Sequence, residues 1–222
     1  MSTEKKTVEV DAKGIPLKSS YPENPTVPVL YAMFTLIPGL FGLVIAYATI
    51  TFASSESSKS AADAKLDLLA TYDLGWLYLG IFVVKLLQLP IAIILGSARK
   101  ASKVNVPDQH VYRVMGSEGS KLGHVLMETE DDDLGKFNRA QRALQNYHEQ
   151  FPTMMLQYVA ASFVWPFETF VCIAIWAVSC VLSANGYVSS ADGRMQGRLP
   201  GFFAAATVQG LVLIAAHKAL SA

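Results

Sequence analysis

The chain has 222 residues, of which 52% are hydrophobic and only 16% are charged. This balance excludes an ordinary soluble domain, in which charged residues make up about a quarter of the chain, and indicates an integral membrane protein in a lipid bilayer. The 18 basic and 18 acidic residues cancel, so the net charge gives no reason to expect nucleic acid as a partner.

The first 29 residues are predicted to form a solvated tail. They mix acids and bases without an apolar core, unlike a secretory signal or an Arg-rich transit peptide. The 24 uncharged residues from Leu30 to Ala53 are long enough to cross a membrane, and residues 30–73 are therefore predicted to be a transmembrane helix with a connecting loop.

A second apolar stretch runs from Leu74 to Ala98 and is interrupted only by Lys85. An ammonium group near the middle of a membrane helix needs a carboxylate, a carbonyl group or water. Pro90 follows five residues later and can free a backbone carbonyl for Lys85 by kinking the helix. The alternative is that another protein or a lipid headgroup compensates the charge.

Three more spans are predicted after a polar loop at about 99–136. They run from Ala143 to Trp165, from Phe167 to Val188 and from Leu199 to Leu220. If the five helices alternate in direction, the basic tail, loop and turn at 183–200 fall on one side of the membrane. The positive-inside rule then predicts that the amino terminus faces the cytosol-like compartment.

The cysteines and histidines show no pattern that is typical of a metal site. Cys172 and Cys180 lie eight residues apart in one apolar span, too far along a helix for a disulfide. The four histidines lack metal-ligand spacing, so no metal is assigned.

Arg142, Asn146 and Glu149 are the most informative polar residues. Their steps of four and three place them within an arc of roughly 60° on one helix face, just before Pro152 and a long apolar run. Charged groups at such a depth are usually functional. The alternative is that Arg142 and Glu149 only pair with each other or meet water at the end of the span.

The segment around these residues carries a family resemblance. Residues 137–152 read FNRAQRALQNYHEQFP, and this run resembles the second-helix signature of the membrane-associated proteins in eicosanoid and glutathione metabolism, the MAPEG family. It is most similar to the type 3 microsomal glutathione transferases. SARKASKVNVP at 97–107 and GYVSSADGRMQG at 186–197 resemble the end of the family's first helix and its last interhelical turn.

The resemblance implies an all-α integral membrane fold. Residues 74–222 would form a MAPEG-like four-helix bundle, assembled as a homotrimer, and residues 1–73 would add a tail and one transmembrane helix. It also implies that glutathione binds as co-substrate between subunits. The residues that match the family's glutathione-binding positions are Arg142, Asn146, Glu149, Tyr187, Arg99 and Lys100, and Arg194 matches the arginine that faces the thiol.

These residue types suit glutathione chemically. The tripeptide presents two carboxylates, an ammonium group and a thiol, so it calls for a guanidinium fork, a carboxylate and an amide, which Arg142, Glu149 and Asn146 provide. A guanidinium such as that of Arg194 favours the thiolate over the thiol. Lipid-like electrophiles or hydroperoxides would reach such a site from the bilayer.

Two departures affect the expected activity. Active relatives commonly carry an arginine and a tyrosine seven and four residues before the position of Tyr187, and here those positions are Cys180 and Ser183.

Three hypotheses about function follow from the sequence. The first is a glutathione-dependent transferase or peroxidase, and the second is a degenerate accessory subunit that contacts a larger membrane complex through residues 30–53 and Lys85. The third is a lipid-binding scaffold without turnover. The endoplasmic reticulum fits the resemblance, and a mitochondrial membrane is the alternative.

Overall fold

The computed structural model describes residues 9–12, 15–115, 124–128 and 132–221. Helices dominate these ranges: α1 (Val27–Ala48), α2 (Glu56–Thr71), α3 (Gly75–Ser102), α4 (Asp132–Ser162), α5 (Pro166–Ser189) and α6 (Arg198–Ser221). A short antiparallel hairpin, β1 (Tyr112–Met115) and β2 (His124–Met127), lies between α3 and α4. The predicted helical membrane fold is confirmed, and the hairpin is an addition that the sequence did not predict.

Four of the five predicted spans are helices long and apolar enough to cross a membrane. They are Val27–Phe52, Gly75–Ser102, Pro166–Ser189 and Arg198–Ser221. Most of the predicted span from Ala143 to Trp165 lies in α4, which ends at Ser162. This helix does not reach the same hydropathy, because its N-terminal half is rich in polar and charged residues. It packs against α3, α5 and α6.

Two boundaries differ from the sequence prediction. The connecting loop predicted after the first span contains α2, a helix with no buried residue. The Ser55 side chain caps α2 by accepting a hydrogen bond from the Ser58 N–H, and alanine, lysine and leucine favour the helix that follows. The polar loop predicted at 99–136 is also shorter than expected, because α3 and α4 extend into it, and its residues 116–123 and 129–131 lie outside the described ranges.

The bundle is joined at one end by Tyr158 of α4. Its side chain is fully buried, and its hydroxyl donates to the backbone carbonyls of Trp76 at 2.9 Å and Leu77 at 3.2 Å on α3. A Cβ atom at Gly80 would lie 2.0 Å from this hydroxyl, so glycine permits the close approach of the two helices. One turn after Tyr158, Ser162 and Thr169 share a 2.7 Å hydrogen bond that joins α4 to α5.

At the opposite end of the bundle, the segment before α1 is bonded to the end of α3. The side chain of Asn105 accepts from the Ser20 N–H at 2.6 Å and donates to the Lys18 carbonyl at 3.2 Å. Val27 and the Tyr31 ring pack against Gly96, where a Cβ atom would lie within 3.0 Å of both side chains. Beyond this contact α1 leaves the bundle, and its apolar side chains are largely exposed.

Candidate functional site

The N-terminal half of α4 carries the predicted ionic residues. Arg142 Nη1 lies 3.2 Å from Glu149 Oε1, and the two side chains are 39% and 52% exposed. An exposed ion pair of this kind stabilises a protein by only about 0–1 kcal/mol, so opening it for a ligand is inexpensive. The pairing of Arg142 with Glu149 that the sequence analysis gave as an alternative therefore exists, but it leaves both groups accessible.

A narrow cleft beside this pair brings three predicted site residues together. Asn146 of α4, Tyr187 of α5 and Arg194 of the following turn all line it. The remaining lining residues are Ala143, Tyr147, Gln150, Cys180, Ser183, Ala184 and Arg198. Its interior volume is about 10 Å³, which is roughly the space for one water molecule or one ligand atom. A whole tripeptide must therefore extend beyond this cleft.

The cleft continues along the helices toward the middle of the bundle. Gln150, Cys180 and Arg198 also line a second pocket between α4, α5 and α6. Gln150 then borders a wider groove of about 470 Å³, which Glu149 also lines. The rest of that groove is a mixture of amide, hydroxyl and apolar side chains, namely Thr153, Met154, Gln157, Trp176, Phe202, Ala205, Ala206 and Gln209. A polar cleft thus opens into a larger groove with apolar character.

Arg194 is positioned by the short 3₁₀ turn Asp192–Met195, which follows α5. The Ser183 hydroxyl donates to the Arg194 carbonyl at 2.7 Å and so fastens the turn to α5. The turn also approaches α5 closely at Gly193, where a Cβ atom would lie 2.0 Å from the Gly186 carbonyl oxygen. Ser183 stands where active relatives commonly carry a tyrosine, and here its hydroxyl holds this turn against α5.

The backbone leaves this turn through Gly197, whose φ of +67° is a left-handed conformation that favours glycine. Ser179 of α5 then binds the start of α6. Its hydroxyl donates to the Gly197 carbonyl and accepts from the Gly201 N–H at 3.0 Å. Arg198, between these two contacts, stacks over the Phe202 ring with 5.2 Å between guanidinium carbon and ring centroid.

The structure does not bring Arg99 and Lys100 to the cleft. Arg99 is buried, donates to the carbonyls of Val104 at 3.0 Å and Asp108 at 2.7 Å, and lies over the Phe137 ring at 4.7 Å. The ammonium group of Lys100 donates to the Pro22 carbonyl at 2.7 Å. Within one copy of the chain, Arg99 supports the loop after α3, and Lys100 holds the N-terminal segment.

Two residues near the cleft were not predicted from the sequence. Arg139 donates from Nε and Nη2 to the Val188 carbonyl, at 3.2 and 3.0 Å, and so connects α4 to α5 beside Tyr187. Tyr147 lines the cleft directly. Both lie inside the run from 137 to 152, but Tyr147 follows the apolar helical period and was indistinguishable from a core residue.

Among the described residues, no group of three or more His, Cys, Asp or Glu side chains is placed to hold a metal ion.

Comparison with known proteins agrees with this arrangement. Residues 76–217 match the MAPEG family, and this range covers α3 through nearly all of α6. The comparison with curated proteins found no match. The family includes glutathione-dependent membrane enzymes, and the matched range contains every residue of the cleft. Since the match spans well over half of the sequence, this integral membrane protein belongs to the MAPEG family.

Proposed function

We propose that the protein is a glutathione-dependent transferase or peroxidase that acts on lipid-like electrophiles or hydroperoxides in a membrane, most similar in activity to the type 3 microsomal glutathione transferases. The observation that carries the proposal is the convergence of Asn146, Tyr187 and Arg194 on one cleft, next to the accessible pair of Arg142 and Glu149. An amide, a phenol, two guanidinium groups and a carboxylate match the groups that glutathione presents.

The roles of the residues follow from charge. Glu149 pairs with the ammonium group of glutathione, Arg142 with a carboxylate, and Asn146 with a peptide group. Arg194 stabilises the thiolate, while the thiol proton passes to water. In a transfer reaction the thiolate sulfur bonds to the electrophilic carbon as the leaving group departs. In the peroxidase reaction two glutathione molecules become a disulfide, and the hydroperoxide is reduced to an alcohol and water.

A homotrimer is part of this proposal. In one copy the cleft has a volume of only about 10 Å³, far less than a tripeptide needs. The polar side chains of Gln145, His148 and Glu149 are also exposed on α4, a face that hydrocarbon does not solvate. Neighbouring copies would cover this face and complete a site large enough for glutathione. Arg99 and Lys100 remain predicted ligands of that assembled site.

The proposal is tested with the purified protein in lipid nanodiscs. We expect saturable glutathione binding, turnover with a model aryl halide or lipid hydroperoxide, and loss of turnover in Arg194→Ala. Arg194→Lys should keep part of the activity because it keeps the positive charge, and Lys218→Ala at the end of α6 is the control for a cation outside the cleft. Absence of both binding and turnover in the unmodified protein would reject the enzymatic function.

One observation favours a second candidate function, an accessory subunit of a larger membrane complex. Lys85 lies about 15 Å along α3 from Gly75 and is exposed, and no hydrogen bond or ion pair joins its ammonium group to another residue in the described part of the chain. A carboxylate on a partner's transmembrane helix would compensate this charge. Under this alternative, mild detergent extraction of native membranes should yield a stoichiometric complex rather than a homotrimer alone.

We propose the organelle from the family resemblance and the orientation from the distribution of basic residues. The family resemblance favours the endoplasmic reticulum over a mitochondrial membrane, and the basic residues on one side favour a cytosolic amino terminus. An N-terminal epitope that proteases digest in sealed microsomes would support this orientation. A protected epitope would contradict it.

A further inference from the structure

Tyr147 combines two properties that do not usually occur together in a well-packed protein. Its side chain is only 4% exposed, and its hydroxyl oxygen is buried without a hydrogen-bond partner among the described residues. Buried polar groups are nearly always paired, and an unpaired one calls for an explanation such as a bound water molecule or a catalytic role. The hydroxyl is therefore free to donate to a bound group.

The ring of Tyr147 is held firmly in position. It stacks against Trp176 of α5, with 5.7 Å between ring centroids and 28° between planes, and contacts Phe151 at 5.6 Å. Such contacts on two sides limit the rotation of the side chain. Phenylalanine would make the same ring contacts, so packing alone does not explain the hydroxyl.

The surroundings of Tyr147 identify the kind of acceptor. It lines the narrow cleft together with Asn146, Arg194 and Arg198. The two guanidinium groups favour an anion there, and the interior volume of about 10 Å³ suits one sulfur atom better than the two oxygen atoms of a carboxylate. Of the groups that glutathione carries, the thiolate is the anion that fits this description.

We propose that Tyr147 is a further substrate-contacting residue, whose hydroxyl donates a hydrogen bond to the thiolate sulfur of bound glutathione. The inference rests on the proposed glutathione-dependent function and adds a residue to it. Arg194 supplies positive charge from the turn after α5, and Tyr147 supplies a directed donor from α4. The phenol keeps its proton throughout, and the thiol proton leaves to water when the thiolate forms.

The test is Tyr147→Phe in nanodiscs, monitored through the ultraviolet absorbance of the enzyme-bound thiolate as a function of pH. Loss of a hydrogen bond to a charged sulfur should raise the pH of half-formation by about one to two units. The thermal stability of the ligand-free variant should be unchanged or higher, because the substitution removes an unpaired buried hydroxyl and keeps the ring.

Tyr158→Phe is the matched control. It lies on the same helix and is also buried, but its hydroxyl donates to the Trp76 and Leu77 carbonyls. Tyr158→Phe should lose thermal stability. The pH at which half of its bound thiolate has formed should be the same as in the unmodified protein.

Three results would overturn the proposal, and they are distinguishable. If the unmodified protein binds glutathione and forms the thiolate, but Tyr147→Phe titrates at the same pH, the role of Tyr147 is wrong and the proposed function stands. If Tyr147→Phe destabilises the ligand-free protein as Tyr158→Phe does, its hydroxyl has a structural partner instead. If the unmodified protein binds no glutathione, the function and the inference fail together.

Discussion

The hydroxyl of Ser183 donates a 2.7 Å hydrogen bond to the backbone carbonyl of Arg194. This contact ties the turn that carries the proposed thiolate-stabilising arginine to a fully helical part of α5. We expect Ser183→Ala to lower stability by about 1 kcal/mol and to reduce the affinity for glutathione, because the Arg194 backbone loses its anchor. Ser189→Ala, whose hydroxyl bonds to Gly186 within α5 itself, is the control. Unchanged glutathione affinity in Ser183→Ala would contradict this role.

Gly197 is a second point on which the geometry of the site depends. Its φ is +67°, and a Cβ atom would lie 2.6 Å from Cβ of Leu182. We expect Gly197→Ala to destabilise the protein by about 1–3 kcal/mol, because strain and the steric clash both oppose it. Gly210→Ala in α6 is the matched control. A Cβ atom there has no neighbour within 4 Å, so that variant should be neutral or stabilising by up to about 1 kcal/mol. Thermal unfolding in detergent measures the stabilities of Gly197→Ala and Gly210→Ala against that of the unmodified protein.

Glu149 separates a binding role from a structural one. Because its pair with Arg142 is half exposed, Glu149→Gln should change the free energy of unfolding by less than about 1 kcal/mol. Its glutathione affinity should fall roughly 10- to 100-fold, because the ligand's ammonium group loses a charged hydrogen bond. Calorimetric titration measures the affinity, and Glu168→Gln, which removes an exposed carboxylate in the first turn of α5, is the control. Equal affinities in Glu149→Gln and the unmodified protein would show that the pair is only structural.

Asn105 tests how the added N-terminal segment is attached. Its amide joins the Lys18 carbonyl and the Ser20 N–H, so Asn105→Ala removes two hydrogen bonds at once. Limited proteolysis of residues 15–26 should become roughly tenfold faster, because the segment opens more often. Asn105→Asp keeps the acceptor and loses the donor, so its cleavage rate should lie between those of Asn105→Ala and the unmodified protein. Equal cleavage rates in all three proteins would mean that other contacts hold the segment.

Lys85 distinguishes the two candidate functions. If it faces lipid, Lys85→Leu should stabilise the isolated protein by up to about 3 kcal/mol, because a mid-membrane charge is removed. If it pairs with a partner's carboxylate, the same change should release the protein from a larger complex on native gels. Phe82→Leu, an exposed neighbour nearly one turn earlier on α3, is the control for a change of shape. If water or lipid headgroups already solvate the ammonium group, Lys85→Leu should neither stabilise the isolated protein nor release it from a larger complex.

Much of the architecture was predictable from local sequence. The spans at 30–53 and 74–98 were recognisable because uncharged stretches of that length have few alternatives to crossing a bilayer. Asn146, Tyr187 and Arg194 were selected through a family resemblance; the match over residues 76–217 supports the family, and the structure places the three residues on one cleft. In contrast, α2 was missed because an exposed helix without an apolar face has no strong periodic signal.

The sequence by itself determined that this is a membrane protein of the MAPEG family, since hydropathy and short motifs are properties of neighbouring residues. Only the tertiary structure decided what each polar side chain contacts. Lys100 reaches the Pro22 carbonyl 78 positions away, Ser183 binds the backbone of Arg194, and Tyr147 keeps a buried hydroxyl without a partner. Such contacts depend on how distant segments pack in space, and no local pattern encodes them.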